Sequence, residues 1–190
     1  MITSIRLQAF KGHRDTTVPL GRFTALVGPN GSGKTSVLEA LWLQSQLVER
    51  ASANVLSGDL VMDDLRRRGA NGPISLTSTW PAPNQEQGLV TLRFDQSLHP
   101  RAQMELVRLI KRLLDEIPDL QIVATTHSPY VLDELEPSQI HAFALREDGT
   151  VASKRLSDHP EAERMKGSLT SGQLWTLDEE REWVLAEPAS

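Results

Sequence analysis

The sequence predicts an α/β fold: a parallel central sheet flanked by helices, with an N-terminal antiparallel β-hairpin or side sheet leading into it. Three observations predict it. Residues 2–10 alternate apolar and polar, with Ile5, Leu7 and Ala9 set against Arg6 and Gln8, and 16–20 returns after a turn at Lys11-Gly12-His13. The run Phe23-Thr24-Ala25-Leu26-Val27 is short, apolar and β-leaning, and a glycine-rich turn follows it. Helical spacing of Val37, Leu38, Leu41 and Trp42 comes next. From 89 to 126 the chain reads strand, helix, strand, an alternation that lays strands side by side in parallel.

The remaining elements follow in order. The helix after the glycine-rich turn runs to about residue 50, and a short helix is expected over 59–68, opened by Ser57-Gly58-Asp59 and stopped at Gly69. Residues 74–80 alternate as an antiparallel strand, 81–87 form a polar, proline-broken loop, and 89–94 form a strand. A strongly amphipathic helix covers 100–117, with apolar Met104, Leu106, Val107, Leu109, Ile110, Leu113 and Leu114. Its Pro100 sits in the first turn, where proline is best tolerated. Pro118-Asp119 turns the chain into a strand over 120–126, which runs into His127-Ser128-Pro129 and a short helix to Leu135. Strands at 140–145 and 151–155 flank Glu147-Asp148-Gly149, an Asp-Gly hairpin turn. The polar tail after Asp158 carries Trp175 and Trp183, which are expected to dock onto the body. The expected organisation is one domain over 1–157, with a short insert at about 51–87, and a C-terminal tail over 158–190 packing on it.

Composition narrows the function classes. The 190 residues are 39% hydrophobic and 24% charged, ordinary for a soluble globular chain. No apolar run approaches the roughly 20 residues needed to span a bilayer. The opening residues, Met1-Ile2-Thr3-Ser4-Ile5-Arg6, lack a charged-then-apolar export pattern, so a cytoplasmic protein without membrane contact is expected. Zero cysteines exclude disulfides and Cys-ligated metals. A net charge of −5 argues against a broad nucleic-acid-binding face and leaves DNA a possible partner through a local patch, Arg66-Arg67-Arg68 being one candidate. A triple-Arg helix end equally suits a solvated final turn meeting the helix dipole.

The turn between the first buried strand and its helix is Gly28-Pro29-Asn30-Gly31-Ser32-Gly33-Lys34-Thr35, a complete G-x-x-x-x-G-K-[ST] phosphate loop in the strand–helix context that the motif requires. Its glycines let the backbone curl and turn N–H groups inward around phosphate oxygens, and the helix dipole adds positive potential there. The nucleotide-binding candidates are Asn30, Gly31, Ser32, Gly33, Lys34, Thr35 and Ser36. Lys34 would reach the β- and γ-phosphates of ATP, and the Thr35 hydroxyl would ligate Mg²⁺. The central architecture is therefore that expected of a P-loop NTPase.

Hydrolysis also needs a carboxylate at a neighbouring strand end. Asp95, after Leu89-Val90-Thr91-Leu92-Arg93-Phe94, is the candidate for holding the metal, or it caps a turn. Gln96 stands where a water-activating Glu would be wanted, and Gln can orient water without accepting its proton. His127 follows the 120–126 strand directly and could hydrogen-bond a γ-phosphate and sense its loss. Leu169-Thr170-Ser171-Gly172-Gln173 and Leu56-Ser57-Gly58-Asp59 could cap a second subunit's γ-phosphate, although ordinary turn chemistry accounts for both.

With these residues in hand, the chain resembles an ABC-type ATPase head of the SMC/RecF/OLD-like group, often labelled AAA family ATPase. The resemblance rests on 2–12, on 26–36, on Leu98-His99-Pro100-Arg101-Ala102-Gln103 and on Ala124-Thr125-Thr126-His127-Ser128-Pro129. It implies phosphate and Mg²⁺ roles for Lys34 and Thr35, a dimer-facing loop at Leu98-His99-Pro100, and a switch role for His127. Heads of this group are usually longer, with a helical lobe or coiled coil and a signature motif between the halves of the site, whereas only about 51–87 fills that space here. Counting back from Leu98-His99-Pro100, the group's paired acidic residues fall on Leu92 and Arg93; a shifted register places Asp95-Gln96 there.

The resemblance implies an ATP-binding head whose hydrolysis is weak or depends on a partner or on an ATP-driven homodimer, serving DNA repair, chromosome maintenance or phage defence. The alternative is a catalytically degenerate nucleotide-binding interaction module. A small P-loop kinase with Arg66-Arg67-Arg68 as its lid is a third reading.

Overall fold

A computed structural model describes residues 1–49, 65–67, 69, 73–79, 88–93, 99–164, 166–177 and 182–186, with backbone only at 47–49 and 88–93. Strands β1 (Ser4–Phe10), β2 (His13–Pro19) and β3 (Phe23–Val27) lead into helix α1 (Lys34–Glu49). Strands β4 (Ser75–Thr79) and β5 (Gly88–Arg93) precede helix α2 (Pro100–Glu116), strand β6 (Leu120–Thr125) and the short helix α3 (Pro129–Leu132). Strands β7 (Ile140–Leu145) and β8 (Val151–Arg155) form the later hairpin, and α4 (Glu161–Arg164), α5 (Ser171–Trp175) and α6 (Glu182–Leu185) follow.

Two sheets result. The side sheet has order β2-β1-β4 and is antiparallel throughout. The central sheet has order β5-β6-β3-β7-β8, with β5, β6, β3 and β7 parallel and β8 an antiparallel edge. The hairpin turn is tighter than the sequence suggests: His13 pairs with Phe10, so only Lys11 and Gly12 remain in the turn. The expected helix at 59–68 lies mostly outside the described residues. At its end Arg66 forms an antiparallel bridge with Phe10, and the Arg67 amide donates to the Ala9 carbonyl at 2.9 Å. Arg66 and Arg67 are half-buried along the hairpin, which fits neither a solvated helix end nor a mobile arginine lid.

Strands β3, β6 and β7 are buried on both faces, with alternate residues feeding separate cores. Phe23, Ala25, Val27, Ile122, Ala124, Ile140 and Ala142 meet Val107, Ile110 and Leu114 of α2. Leu26, Val123 and Phe143 face the other way, toward Val37 and Leu41 of α1 and toward Ile5, Leu7 and Phe10 of β1. The second core therefore glues the side sheet and α1 onto the central sheet. Trp175 and Trp183, 2% and 7% exposed, join the first core, so part of the tail completes it.

Helix α2 starts at Pro100, and the His99 ring accepts the Arg101 amide as an N-cap. Its buried face is Gln103, Val107, Ile110 and Leu114, narrower than the seven apolar positions in the sequence: Leu109 and Leu113 stand 45% and 37% exposed. At its far end the Arg22 guanidinium donates to the carbonyls of Leu114 and Ile117, satisfying C-terminal oxygens with a cation.

A single polar side chain ties the sheets together at the end remote from the glycine-rich loop. Gln121 is 2% exposed; its Oε1 accepts the Ile2 amide at 3.0 Å, and its Nε2 donates to the carbonyls of Ile2 at 2.7 Å and Gly21 at 2.8 Å. Gln121→Leu fills the space but strands three backbone groups. A loss of about 3 kcal/mol is expected in urea denaturation, since each buried unsatisfied group costs about 1–3 kcal/mol.

Candidate functional site

The site forms at the carboxyl ends of β3 and β6, the crevice where open α/β sheets bind ligands. A cavity of about 170 Å³ is lined by Gly12, Asn30, Gly31, Gly33, Lys34, Thr35, Ser36, Thr125 and His127. The glycine-rich loop, the start of α1, the β6 end and the β1–β2 turn therefore converge on one concavity.

Local sequence explains the shape of the loop. Gly28 has φ +135°, and a Cβ there would lie 2.1 Å from the Phe143 carbonyl oxygen of β7, so the chain can leave β3 on this path only without a side chain. Gly33 has φ +97°, and a Cβ there would press on the His13 ring and on Val151, both at 2.8 Å. Lys34 is 6% exposed, and its Nζ donates to the carbonyls of Gly28 at 2.8 Å and Pro29 at 2.7 Å. The ammonium thus lies folded along the loop, within reach of the space that the loop encloses.

Of the residues singled out in the sequence, Asn30, Gly31, Gly33, Lys34, Thr35, Ser36 and His127 are brought together around the cavity. Ser32 is set differently: it is 1% exposed, and its Oγ is buried without a hydrogen-bond partner. Asp95, Gln96 and Leu98 lie outside the described residues. Strand β5 ends with Arg93 in register with Thr125, so a carboxylate from this strand's end must come from beyond the ladder.

His127 owes its place to a local turn. The Thr126 amide donates to the Leu26 carbonyl at 3.1 Å, extending the β3–β6 contact by one step. The Thr126 hydroxyl then accepts the Ser128 amide at 3.0 Å, a side-chain turn that bends the chain at His127 before Pro129 opens α3.

The later Ser-Gly string supplies no outward-facing cap. Thr170-Ser171-Gly172 does open a five-residue helix, which the sequence did not make clear. Ser171 Oγ donates to the Leu135 carbonyl at 2.6 Å, and the Gly172 amide donates to Asp133 at 2.9 Å, so the string docks α5 onto α3. A Cβ on Gly172 would meet Asp133 Oδ1 at 2.4 Å. The string at 56–59 lies outside the described residues.

Three residues of the site escaped sequence reasoning. Gly12 read as a simple hairpin turn, and Thr125 as the end of a strand. His13 is fully buried behind the loop, its Nε2 3.1 Å from the Gly33 carbonyl oxygen and its ring edge-on to Phe143 at 6.4 Å. Burial holds the His13 pKa below its ordinary value, with the Gly33 carbonyl pulling weakly the other way. Its only advance signal is a histidine in an apolar-facing position of the leading hairpin.

The fit to a nucleotide can be judged from these parts. Left-handed glycines at positions 28, 31 and 33, a lysine ammonium, and the amides at the start of a 16-residue helix form a concave, positively polarised surface suited to phosphate oxygens. The same cavity offers a magnesium ion the Thr35 hydroxyl, in keeping with the way Mg²⁺ usually combines few protein oxygens with substrate phosphates. Among the described residues there is no cluster of three or more His, Asp or Glu able to hold a metal on protein ligands alone, and no helix is long and apolar enough to cross a membrane.

Comparison with known proteins agrees with this geometry. Residues 1–77 match the family model described as AAA ATPase domain, and residues 94–133 match that described as AAA domain, putative AbiEii toxin, Type IV TA system. The Septu protein PtuA of Bacillus thuringiensis is 35% identical over 71 residues, a match covering 37% of this chain and 17% of that protein. The OLD nuclease of Thermus scotoductus is 44% identical over 41 residues, covering 22% of this chain and 8% of that protein. The matches thus span less than a fifth of either curated relative. The SMC head domain from Thermotoga maritima superposes with a TM-score of 0.52 at 13% identity, over 81% of this chain and 98% of that one, which shows a shared fold.

Proposed function

We propose, on the premise that this chain is an ATPase head of the SMC/RecF/OLD-like group in fold and in sequence match, that it binds Mg²⁺-ATP in the loop cavity and turns it over weakly or only with a partner. The observation that carries the reading is the convergence of the phosphate loop with Thr125 and His127 on one cavity. The loop amides and the α1 N-terminus hold the phosphates, and Lys34 leaves the carbonyls of Gly28 and Pro29 to bind the β- and γ-oxygens. Thr35 would supply a Mg²⁺ ligand, and the metal would neutralise phosphate charge. Asp95 is the candidate second ligand, and His127, which lines the same cavity, would hydrogen-bond the terminal phosphate.

Weak turnover is the reading that the sequence after β5 favours: Arg93 is level with Thr125, the next carboxylate along the chain is Asp95, and Gln96 after it would orient water without taking its proton. The same observation supports a second reading, a nucleotide-binding interaction module without turnover. Steady-state ATPase assays separate the two: activity lost in both Lys34→Ala and Asp95→Asn supports the enzyme, and none above background supports the module. For binding itself, Lys34→Ala is expected to weaken Mg²⁺-ATP by tenfold or more in calorimetric titration, and unchanged affinity refutes the assignment of the phosphate site.

The nucleotide cycle would serve assembly. An ATP-driven homodimer, or docking to a partner subunit, would sandwich nucleotide between surfaces and complete the site. Sedimentation with and without Mg²⁺-ATP tests this, and a mass that does not change with nucleotide speaks against the homodimer. A role in DNA repair, chromosome maintenance or phage defence is supported by the SMC-head fold and by the nuclease named among the relatives.

A further inference from the structure

We propose that His13 is the positioning residue of the phosphate cradle: its Nε2–H holds the Gly33 carbonyl and thereby aims the Lys34 amide at the bound phosphate. This rests on the reading that the loop binds ATP, and it extends the site to the leading hairpin, 20 residues earlier in the chain.

The geometry is specific. His13 Nε2 lies 3.1 Å from the Gly33 carbonyl oxygen, and a carbonyl can only accept, so Nε2 carries the proton. The peptide between Gly33 and Lys34 is planar and trans, so its C=O and N–H point in opposite directions. A Gly33 carbonyl turned onto His13 therefore turns the Lys34 N–H away from the ring, on the side from which a phosphate is bound. The helical bond that would otherwise hold this carbonyl, from the Val37 amide, is long at 3.4 Å, so the imidazole is the closer partner. Gly33 must lack a side chain for the ring to approach, since a Cβ would meet Nε2 at 2.8 Å.

Energetics favour a reason beyond packing. His13 is 0% exposed among Phe143 and Val151, and its Nδ1 is buried without a hydrogen-bond partner. Phenylalanine would occupy this slot without burying an unsatisfied nitrogen, which is costly. What phenylalanine cannot do is hold the Gly33 carbonyl. The hairpin itself is anchored close by, where the Val151 amide donates to the Gly12 carbonyl at 3.1 Å and Lys11 pairs with Glu39 of α1. Hairpin, loop and β8 thus form one rigid support behind the cradle.

Two substitutions and one spectrum test it. His13→Phe keeps an aromatic ring and removes the donor, and His13→Gln returns a side-chain N–H at the distance of Nε2 from the backbone. Mg²⁺-ATP is expected to bind His13→Phe about tenfold more weakly than wild type, the loss appropriate to one misaimed donor, and His13→Gln within about threefold of wild type. The thermal midpoint of nucleotide-free His13→Phe should match or exceed that of wild type, which a purely structural histidine would not allow. In the nucleotide-free protein the ¹⁵N imidazole spectrum should show Nε2 protonated and Nδ1 bare, and the Lys34 amide resonance should move in His13→Phe. Equal affinity of His13→Phe and wild type overturns the proposal, as does the opposite tautomer or an unmoved Lys34 amide. If wild type itself fails to bind Mg²⁺-ATP, the nucleotide reading falls and the aimed-phosphate role falls with it; the tautomer and the Lys34 shift then still decide whether His13 holds the loop.

Discussion

Gly28→Ala should lower stability by on the order of 4 kcal/mol, the range reserved for a forced steric conflict, and so drop the melting temperature by about 10 °C. Position 28 combines two constraints. Its φ of +135° is a conformation that L residues rarely adopt, and the added methyl would sit 2.1 Å from the Phe143 carbonyl oxygen. That oxygen belongs to β7, which is locked to β3 through the pairs Ala25–Ile140, Leu26–His141 and Val27–Ala142. The clash cannot be relieved by a side-chain rotation, so the strands must part or the loop must leave its path. Gly31→Ala is the control. Its φ is +79° with nothing within 4 Å of the added methyl, so only the backbone term of about 1–2 kcal/mol remains. Equal losses at the two positions would show that the close approach of β7 does not shape the loop.

The second large effect is a dependence on pH centred on His141. This residue is 4% exposed on the α1-facing side of β7, and both ring nitrogens are buried without hydrogen-bond partners. Burial, helped by the nearby Arg155 charge and opposed by Asp158, lowers its pKa from 6.5 to about 4. The folded protein thus resists a proton that the unfolded chain accepts. Stability from this group is complete above about pH 6.5 and falls as the pH drops toward about 4, at up to about 1.4 kcal/mol per pH unit and about 3 kcal/mol in total. His13, whose pKa is also lowered, adds in the same direction. Urea denaturation at stepped pH checks this: His141→Leu should gain on wild type progressively below pH 6.5. Curves that stay parallel down to pH 4.5 would contradict it.

How much was legible in advance depended on how local the determining interaction is. The phosphate loop, its strand and its helix are encoded within about 25 consecutive residues, so motif and flanks could be read together. The Asp148-Gly149 hairpin is equally local: the Asp148 carboxylate accepts the amide and hydroxyl of Thr150, and Gly149 takes φ +74°. His13 was opaque because its role arises only when β1 and β2 fold behind a loop 20 residues downstream. The face of α2 was overread for a related reason. Periodicity marks apolar residues, but the sheet covers only the stripe through Val107, Ile110 and Leu114, leaving Leu109 and Leu113 outside it. The Ser171-Gly172 string looked like a possible cap because sequence shows composition and not direction; its hydroxyl and amide turn inward onto Leu135 and Asp133.

The central claim is that the main-chain amides of the loop and the Lys34 ammonium converge on a triphosphate. Titrating Mg²⁺-ATP into ¹⁵N-labelled protein while following the amides of Gly31, Ser32, Gly33, Lys34 and Thr35 tests it most directly. The account predicts saturable shifts at these five positions, absent in Lys34→Ala at the same concentration and accompanied by a higher melting temperature in wild type. Five unmoved resonances and an unchanged melting temperature at millimolar nucleotide would contradict it.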